Sequence, residues 1–424
     1  MSARPLRILH YSTSDTAGGA AQAAFRLHAA FVEAGHASRM IVRQKGLDRA
    51  DVVEVPAYLN PWRARGRRLG RALRLPRESL PADPPPAFNL DVTPDIRREL
   101  FYGYAPDKID VVVLHSITRL LTVREIRSIH EHYGAPLVWA LADQAPLTGG
   151  CHYSYDCDGY TARCGRCPQL GSESEDDRSR TVLERRLELL SPLPIVFVAA
   201  SSGVGDWVRR SAAFGSHRVE RIPAITDDRI FRPFDRGAAR ELLEVPQDAA
   251  VVLLGAGNLV HARKGVVDYA IPALRRLKEL APDREVFVLA VGGRGDELEL
   301  PYASRAVGAL SDSIAIALGY QAADVYLCPT IADAGPLMIP ESLLCGTPVV
   351  AFDVGYAVDL IRDGETGYVV RSRDPADLAQ ALHELLRDPE PERRAAACRA
   401  AAAAHAPERV VEAHVALYRS LVRS

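Results

Sequence analysis

The chain has 424 residues, of which 48% are hydrophobic, and a formal net charge of −2. This length predicts two or three domains, each with a large apolar core. A nearly balanced charge argues against nucleic acid as a partner, because a surface that follows phosphates would leave a strongly basic balance.

The sequence carries no recognisable targeting or membrane-spanning signal. No stretch of 18 or more apolar residues occurs, and the start, MSARPLRILHYS, leads directly into a predicted strand. The cysteine count is odd at seven, and Cys328 and Cys345 lie inside apolar segments. This usage favours a reducing compartment over a disulfide scaffold, so we expect a cytoplasmic protein.

Strand-like and helical segments alternate along the chain in two series, as in doubly wound α/β domains. A connection rich in proline and charge, near residues 216–236, separates the two series. We therefore predict a domain of residues 1–215, a second domain of residues 216–405 and a terminal helix of residues 406–424. The predicted strands cover residues 6–11, 38–42, 110–115, 136–143, 194–200, 250–255, 285–291, 306–309, 324–328 and 348–352.

A pair of glycines, Gly18 and Gly19, follows the first predicted strand and precedes the predicted helix AAQAAFRLHAAF. Because glycine has no Cβ, the two backbone amides can approach a ligand closely. A glycine pair at this place is also typical of an ordinary turn between a strand and a helix.

A basic, amphipathic run, PWRARGRRLGRALRLPRE, covers residues 61–78. Such a run can contact an anionic lipid surface or a phosphorylated acceptor. A solvated helix face balanced by acidic residues elsewhere fits the same pattern. The first interpretation predicts peripheral contact with the inner face of the membrane and agrees with a lipid-linked acceptor.

Four cysteines lie in a loop predicted at residues 149–170. Cys151, Cys157, Cys164 and Cys167 are spaced C-x5-C-x6-C-x2-C. Four thiolates could close a tetrahedral zinc site, which would order a loop too short to have its own core. The C-x2-C pair favours zinc, whereas the looser spacings also suit reduced or disulfide-paired cysteines. We expect the loop to be structural.

The segment DVYLCPTIADAGPLMIPESLLCGTPVVAF predicts a strand, a loop, a helix and a second strand. In an open parallel sheet this order places the loop at the ligand-binding edge. The helix is predicted to begin near Pro336, and the amides from Gly335 to Leu337 could hold a diphosphate. Asp333 and Glu341 could accept hydrogen bonds from hydroxyl groups. These groups together predict a sugar-nucleotide pocket.

With this segment the chain resembles the retaining GT-B glycosyltransferases of glycosyltransferase family 4, whose hallmark is Glu-x7-Glu; here the motif reads Asp333-x7-Glu341. The resemblance continues through GTPVVAFDVGYAVDLIRDGETGYVV, the turn Arg263-Lys264-Gly265 and SDTAGGAAQAAFRLHAAF, and covers nearly the whole chain. A subset of similar bacterial enzymes carries the Cys-rich loop. The resemblance implies two Rossmann-like, doubly wound domains that face a central cleft.

The resemblance also implies an activity, the transfer of a sugar from a nucleotide-diphosphate sugar to a hydroxyl acceptor. The setting would be bacterial polysaccharide, glycolipid or natural-product biosynthesis. In this family the terminal helix returns to the first domain, although a helix that caps the second domain would have the same pattern. No DxD-like metal motif is evident, so no cofactor is expected for the chemistry itself.

Individual roles follow from the resemblance. Lys264 aligns with the lysine that neutralises the donor diphosphate, and the Gly18-Gly19 pair aligns with a loop that faces the donor phosphates. Asp333 would hold hydroxyls of the donor sugar, and Glu341 would hold the nucleotide ribose. The cations and the amides would stabilise the charge that builds on the leaving diphosphate, with retention of anomeric configuration.

The family places a histidine that contacts the donor sugar where this chain has Ala142. Alanine cannot form a side-chain hydrogen bond. Asp143, His152 or His115 could reach the same hydroxyl, although a histidine at a strand end is more often a packing residue.

Two further departures lie in the second domain. The family arginine six residues before the lysine is Asn258 here, and Asp333 replaces a glutamate. Arg263 could supply the missing charge, but neighbours on a helix point about 100° apart, which opposes a shared target with Lys264. Three departures leave two alternatives open: a catalytically inactive GT-B binding or scaffold protein, and a nucleotide-sugar epimerase.

Overall fold

A computed structural model describes residues 4–55, 108–310, 312–387 and 390–422. The basic run at residues 61–78 lies outside these ranges, so its membrane contact stays a prediction from sequence. Among the described helices, none combines the length and the apolar character that crossing a membrane would require.

The chain divides into two compact units. The first unit contains residues 1–200, 204–222 and 411–424, and the second contains residues 201–203 and 223–410. In the first unit the ring of Tyr418 stacks on that of Phe31, with 5.6 Å between the centroids. This contact packs the last helix of the chain against the first one.

The first unit is built on a parallel sheet of seven strands in the order β3-β2-β1-β4-β5-β6-β7. The inner strands β4 to β6 are almost continuously apolar and buried, as expected for a parallel sheet covered on both faces. The strands are β1 (Arg7–Ser14), β2 (Ala37–Gln44), β3 (Val52–Glu54), β4 (Val111–Leu114), β5 (Leu137–Leu141), β6 (Ile195–Ala199) and β7 (Val219–Arg221).

Helices alternate with these strands. Glycine at 134, in the left-handed region at a φ of 59°, ends one of them, and the Asp177 carboxylate caps another by accepting from the amides of Ser179 and Arg180. The described helices are α1 (Gly18–Glu33), α2 (Val123–Tyr133), α3 (Arg178–Leu189) and α4 (Ser202–Arg210), and the terminal helix is Pro407–Val422.

The second unit has a parallel sheet of six strands in the order β10-β9-β8-β11-β12-β13. The strands are β8 (Ala250–Asn258), β9 (Val286–Gly293), β10 (Ala303–Gly308), β11 (Val325–Cys328), β12 (Val349–Phe352) and β13 (Gly367–Val370). The helices are α5 (Arg236–Leu242), α6 (Ile271–Leu280), α7 (Ser313–Ala322), α8 (Met338–Leu344), α9 (Ala357–Leu360), α10 (Pro375–Leu386) and α11 (Pro391–Ala402), followed by the terminal helix α12.

One face of this second sheet carries an apolar core. Side chains of β8, such as Val252 and Leu254, are fully buried in one cluster with Leu274 of α6 and Leu382 of α10. The core holds β8 and β11 side by side, and these are the strands from which the candidate site extends.

Candidate functional site

The strand order of the second sheet reverses between β8 and β11, which are neighbours although β9 and β10 separate them in sequence. In open α/β sheets such a switch point leaves a crevice at the carboxyl ends of the strands, where ligands bind. The loop that follows β8 carries the Arg263-Lys264 pair, and the loop that follows β11 carries Asp333. The topology thus explains why Asp333 meets Arg263 and Lys264, which precede it by 70 and 69 positions.

Arg263 and Lys264 both contact Asp333. The Arg263 Nη1 atom lies 2.7 Å from Asp333 Oδ2, and the Lys264 Nζ atom lies 2.9 Å from the same oxygen. Residues Ala262–Lys264 form a single 3₁₀ turn, not the start of an α-helix. The expectation that the two side chains do not share a target is wrong, because both reach the same carboxylate oxygen. Neighbours in a 3₁₀ turn lie about 120° apart, so the convergence comes from the length of the two side chains.

Asp333 is held in its ionised form. Burial acts to raise the pKa of this carboxyl, but Lys264 and Arg263 outweigh it and bring the pKa below its ordinary value. The other carboxylate oxygen, Oδ1, accepts from the Gly335 amide at 3.2 Å. The two cations and the carboxylate therefore form a compact cluster, the Asp333 cluster, which consists of Arg263, Lys264 and Asp333.

Glu341 lies on α8 and is buried, with 4% of its surface exposed. The hydroxyl of Tyr320, on α7, donates to Glu341 Oε2 at 3.1 Å. Burial and the neighbouring Glu341 charge raise the pKa of Tyr320 well above its ordinary value, so the tyrosine remains a donor. A donor from the neighbouring helix therefore orients the Glu341 carboxylate.

The start of α8 differs from the prediction. The helix begins at Met338 rather than near Pro336 and has only seven residues. Pro336 has no amide hydrogen, and the Gly335 amide donates to Asp333, so a diphosphate here would have to share the Gly335 amide with Asp333. Gly335 has a packing role, since a Cβ there would lie 2.6 Å from the Tyr356 ring.

Asn258 is the last residue of β8 and is exposed. Its Oδ1 atom accepts from the Val260 amide at 3.2 Å, which shapes the loop leading to the Asp333 cluster. Asn258 is uncharged, so it does not supply the positive charge of the family arginine. Arg263 brings a second cation to Asp333 instead.

In the first unit, Gly18 and Gly19 form the exposed first turn of α1, so the helix begins earlier than predicted. Gly18 has a φ of 83°, which favours glycine, and an added Cβ at either position would meet no protein atom within 4 Å. Packing inside the protein therefore does not require glycine at either position.

Asp143 follows β5 and pairs with His152. The His152 Nδ1 atom lies 2.6 Å from Asp143 Oδ2, and Asp143 Oδ1 accepts from the Ala145 amide at 2.8 Å. A carboxylate at this distance fixes the orientation of the imidazole and places the Nδ1 proton between the two groups. Ala142 lies beside this pair and lines a cavity of about 20 Å³, enough for a single water molecule.

His115, the other candidate of the first unit, is a packing residue. Its Nε2 atom lies 2.9 Å from His10 Nδ1, and the two rings stack. Burial lowers the pKa of His115 to about 3, so the side chain is neutral at physiological pH.

Four cysteines of the first unit lie in the loop after β5. Cys151, Cys164 and Cys167 are buried and Cys157 is half-buried, and none of them forms a disulfide. Burial raises the pKa of Cys151 to about 11 and that of Cys164 to about 12. Within the described ranges, no three His, Cys, Asp or Glu side chains are arranged at metal-binding distances.

Three side chains that support the site are absent from the sequence-based prediction. Tyr320 donates to Glu341, Tyr356 packs on Gly335, and the His261 ring accepts from the Arg263 amide at 3.2 Å and so braces the 3₁₀ turn. The Tyr356 hydroxyl accepts from the Ala224 amide at 2.9 Å. Only His261, two residues before Arg263, lies close enough in sequence to have been recognised.

Comparisons with known proteins bear on this site. Residues 250–388, which contain the Asp333 cluster and Glu341, match the family model described as glycosyl transferases group 1. The D-inositol 3-phosphate glycosyltransferase of Nocardia farcinica is 35% identical over 185 residues, 40% of each chain. D-inositol 3-phosphate glycosyltransferase 1 of Catenulispora acidiphila is 33% identical over 225 residues, 48% of this chain and 52% of that protein. The chain thus spans about half or less of the curated relatives it matches.

Solved structures extend the comparison to the whole chain. Sucrose-phosphate synthase from Thermosynechococcus elongatus superimposes with a TM-score of 0.67 at 21% identity, over 98% of this chain and 99% of that one. HepE of Anabaena, solved with UDP and glucose, gives 0.62 at 16% identity, over 98% and 100%. The chain has the GT-B fold. Within it, residues 250–388 are the part similar to glycosyl transferases group 1.

Proposed function

We propose that the protein is a glycosyltransferase that moves a sugar from a nucleoside-diphosphate sugar to a hydroxyl group of an acceptor, with retention of anomeric configuration. The convergence of Arg263 and Lys264 on Asp333 at the switch point of the second sheet carries this proposal. The glycosyltransferase relatives support it, as does the binding of UDP-glucose by HepE. Retention rests on the resemblance to glycosyltransferase family 4.

The proposed chemistry uses the two cations at the leaving group. Cleavage of the anomeric C–O bond through an oxocarbenium-like state builds negative charge on the departing diphosphate. Arg263 and Lys264, already oriented by Asp333, would stabilise that charge without a metal ion. The leaving phosphate would then accept the proton of the acceptor hydroxyl on the same face of the sugar.

The carboxylates are assigned to hydroxyl groups. Asp333 would accept from the donor sugar once the diphosphate shares its cations, and Glu341 would accept from the ribose beside Tyr320. In the first unit, Asp143 would act through His152 on a substrate hydroxyl, in place of the family histidine missing at Ala142. Gly18 and Gly19 would offer amides to donor phosphate, as the resemblance implies.

The acceptor is proposed only by class. Because the relatives are named for inositol 3-phosphate, a phosphorylated polyol belongs in the acceptor panel, beside lipid-linked and free sugars. These acceptors correspond to polysaccharide, glycolipid and natural-product biosynthesis.

The direct test is an assay of turnover with a panel of nucleotide sugars and acceptors, in which free nucleoside diphosphate and glycosylated product are both measured. We expect one donor to be consumed by the wild type and its rate to fall about 100-fold in Lys264→Ala, since the variant loses a cation at the leaving group. Lys278→Ala is the matched control, because Lys278 lies on α6 and contacts the Pro301 carbonyl.

The identity and stereochemistry of the product decide between the alternatives. The anomeric coupling in the NMR spectrum of the product should match that of the donor. Inversion would contradict retention, epimerised donor would indicate an epimerase, and donor binding without turnover would indicate an inactive binding protein.

A further inference from the structure

The connection between β5 and α3, residues 142–177, is long and has little regular structure. It contains two 3₁₀ turns of three residues each, Gly159–Thr161 and Pro168–Leu170. Loops of this length without their own secondary structure are uncommon in compact domains. An additional constraint is therefore expected to hold residues 142–177 in one conformation.

Three of the four cysteines are buried in the interior of this loop. Cys151 and Cys167 form a small buried cluster of their own, against which only Leu170 packs among partly buried apolar residues. Leu147 and Tyr160 of the same segment are also buried, and the cysteines add a separate buried cluster to it.

All four sulfur atoms lie in the same region. A Cβ placed on Gly159 would be 3.5 Å from Cys157 Sγ and 3.8 Å from Cys164 Sγ, so these two sulfurs border one glycine. Cys151 and Cys167 lie in one buried cluster, and Cys164 and Cys167 flank one tight turn. Residues separated by up to 16 positions therefore converge.

The C-x2-C segment has the backbone of a tight reversal. Gly165 has a φ of 131° and Arg166 a φ of 47°, so both residues between Cys164 and Cys167 have positive φ. A Cβ at Gly165 would lie 2.2 Å from the Glu175 carbonyl oxygen, which requires glycine there. The turn brings both cysteines of the pair to the loop interior.

We propose that Cys151, Cys157, Cys164 and Cys167 bind one zinc ion that fixes residues 142–177. Each thiol loses its proton and coordinates as a thiolate, which gives the closed tetrahedral set of a structural site. The sulfurs of the described structure are grouped but not at coordination distances, so binding draws them inward. The site anchors the loop that also carries His152, the partner of Asp143.

The first experiment measures metal content. The full chain is purified under reducing conditions, its metals are quantified by mass spectrometry, and Co²⁺ is exchanged for Zn²⁺ as a spectroscopic probe. We expect one zinc per chain and, with cobalt, the charge-transfer and tetrahedral d–d absorption of a thiolate site. A wild-type protein that holds no zinc and takes up no cobalt overturns the proposal, as does a loop closed by disulfides.

Variants then assign the ligands. Cys164→Ser/Cys167→Ser should lose the metal, whereas Cys398→Ser, which alters a buried cysteine of the second unit, should retain it. Full metal content in the double variant would contradict the assignment. If the double variant fails to fold, chelation of the wild type serves instead: it should expose residues 142–177 to protease, and added Zn²⁺ should restore protection. Unchanged protection after chelation would also overturn the proposal.

The zinc site and the proposed transferase activity can be contradicted independently of each other. Metal content and loop protection are measured without substrate, so neither depends on which donor or acceptor the protein uses.

Discussion

In the ligand-free protein, Asp333 pairs with Arg263 and Lys264, the two cations that the proposed donor would need. Its carboxylate neutralises Arg263 and Lys264, and the diphosphate must compete with it for them. The sequence indicated that each of these residues binds the donor, but it did not indicate that they bind each other. The pairing depends on a 3₁₀ turn whose geometry the sequence pattern does not specify.

This pairing predicts opposite effects of one substitution on binding and on turnover. Asp333→Asn removes the competing anion, so we expect nucleoside diphosphate to bind several-fold more tightly, consistent with about 1 kcal/mol for a partly exposed ion pair. The same change removes the acceptor for the sugar hydroxyls, so turnover should fall at least 10-fold. Calorimetry and the product assay measure the two effects.

Asp324→Asn is the control for general loss of an acidic residue, because Asp324 pairs with Arg240 at the start of β11, the opposite end of that strand from Asp333. Weaker diphosphate binding by Asp333→Asn would contradict the idea that Asp333 competes with the ligand.

Each of the ten strands predicted from the sequence overlaps an observed strand. The three strands that were missed, β3, β7 and β13, have three or four residues and lie at sheet edges. Such short edge strands carry little alternation or apolar run for a pattern to detect. The prediction began α8 near Pro336, two residues before its observed start at Met338. Proline is favourable both in the first turn of a helix and in a turn before one, so the sequence does not distinguish the two.

The close approach of the two site loops depends on Gly265, which follows the 3₁₀ turn. Gly265 has a φ of 67°, and a Cβ there would lie 2.0 Å from the Pro329 carbonyl oxygen in the loop after β11. Gly308 has a similar φ of 73° but no protein atom within 4 Å of an added Cβ. Substitutions at the two positions therefore distinguish the cost of backbone strain, which both share, from the cost of a steric clash, which only Gly265 would have.

We expect Gly308→Ala to lower the free energy of unfolding by about 1 kcal/mol, the cost of a left-handed conformation for a residue with a Cβ. Gly265→Ala should cost at least about 2 kcal/mol more and should also weaken diphosphate binding, because the loop that carries Lys264 must move away from Pro329. Urea unfolding and calorimetry measure both quantities. Equal effects of the two substitutions would contradict the contact between the loops.

At the scale of the whole molecule, the first unit contains a group of buried histidines that the second unit does not share among its described residues. His10, His28, His115 and His414 come from β1, α1, the end of β4 and the terminal helix α12. Burial lowers the pKa of each one, to about 4 for His28, to about 3 for His115 and His414, and well below its ordinary value for His10. Asp51 opposes this lowering at His28.

The sign of the pH dependence follows from these shifts. As pH falls below about 6.5, the unfolded chain binds protons that the folded chain does not, so the free energy of unfolding falls by about 1.4 kcal/mol per pH unit for each histidine. The decline should continue towards pH 4, where His28 begins to take up a proton in the folded state. The first unit should therefore unfold in acid before the second.

Tryptophan fluorescence can isolate this transition, because Trp139 and Trp207 lie in the first unit and no tryptophan lies beyond position 207. Circular dichroism reports on both units. In His414→Leu the decline should be shallower by about 1.4 kcal/mol per pH unit. Coincident acid transitions by the two methods would contradict the difference between units.

The sequence resemblance extended over nearly the whole chain and predicted the GT-B fold, which the solved structures confirm. Hydrophobic periodicity and turn residues predicted two doubly wound α/β domains, because alternating strands and helices favour a parallel sheet covered on both faces, whereas the GT-B fold itself was implied by the resemblance. The histidine group and the Tyr320–Glu341 contact escaped prediction, since their members lie on different elements and only packing brings them together.

The central claim, that Arg263 and Lys264 form a diphosphate site, is tested most directly by calorimetric titration of UDP, GDP and ADP into the wild type, Lys264→Ala and Lys278→Ala. We predict that at least one nucleotide binds the wild type and Lys278→Ala equally. Its affinity for Lys264→Ala should be lower by about 10-fold to 100-fold, as expected for the loss of one charge-assisted hydrogen bond. Equal affinity for wild type and Lys264→Ala, or no binding of any nucleotide to the wild type, would contradict the account.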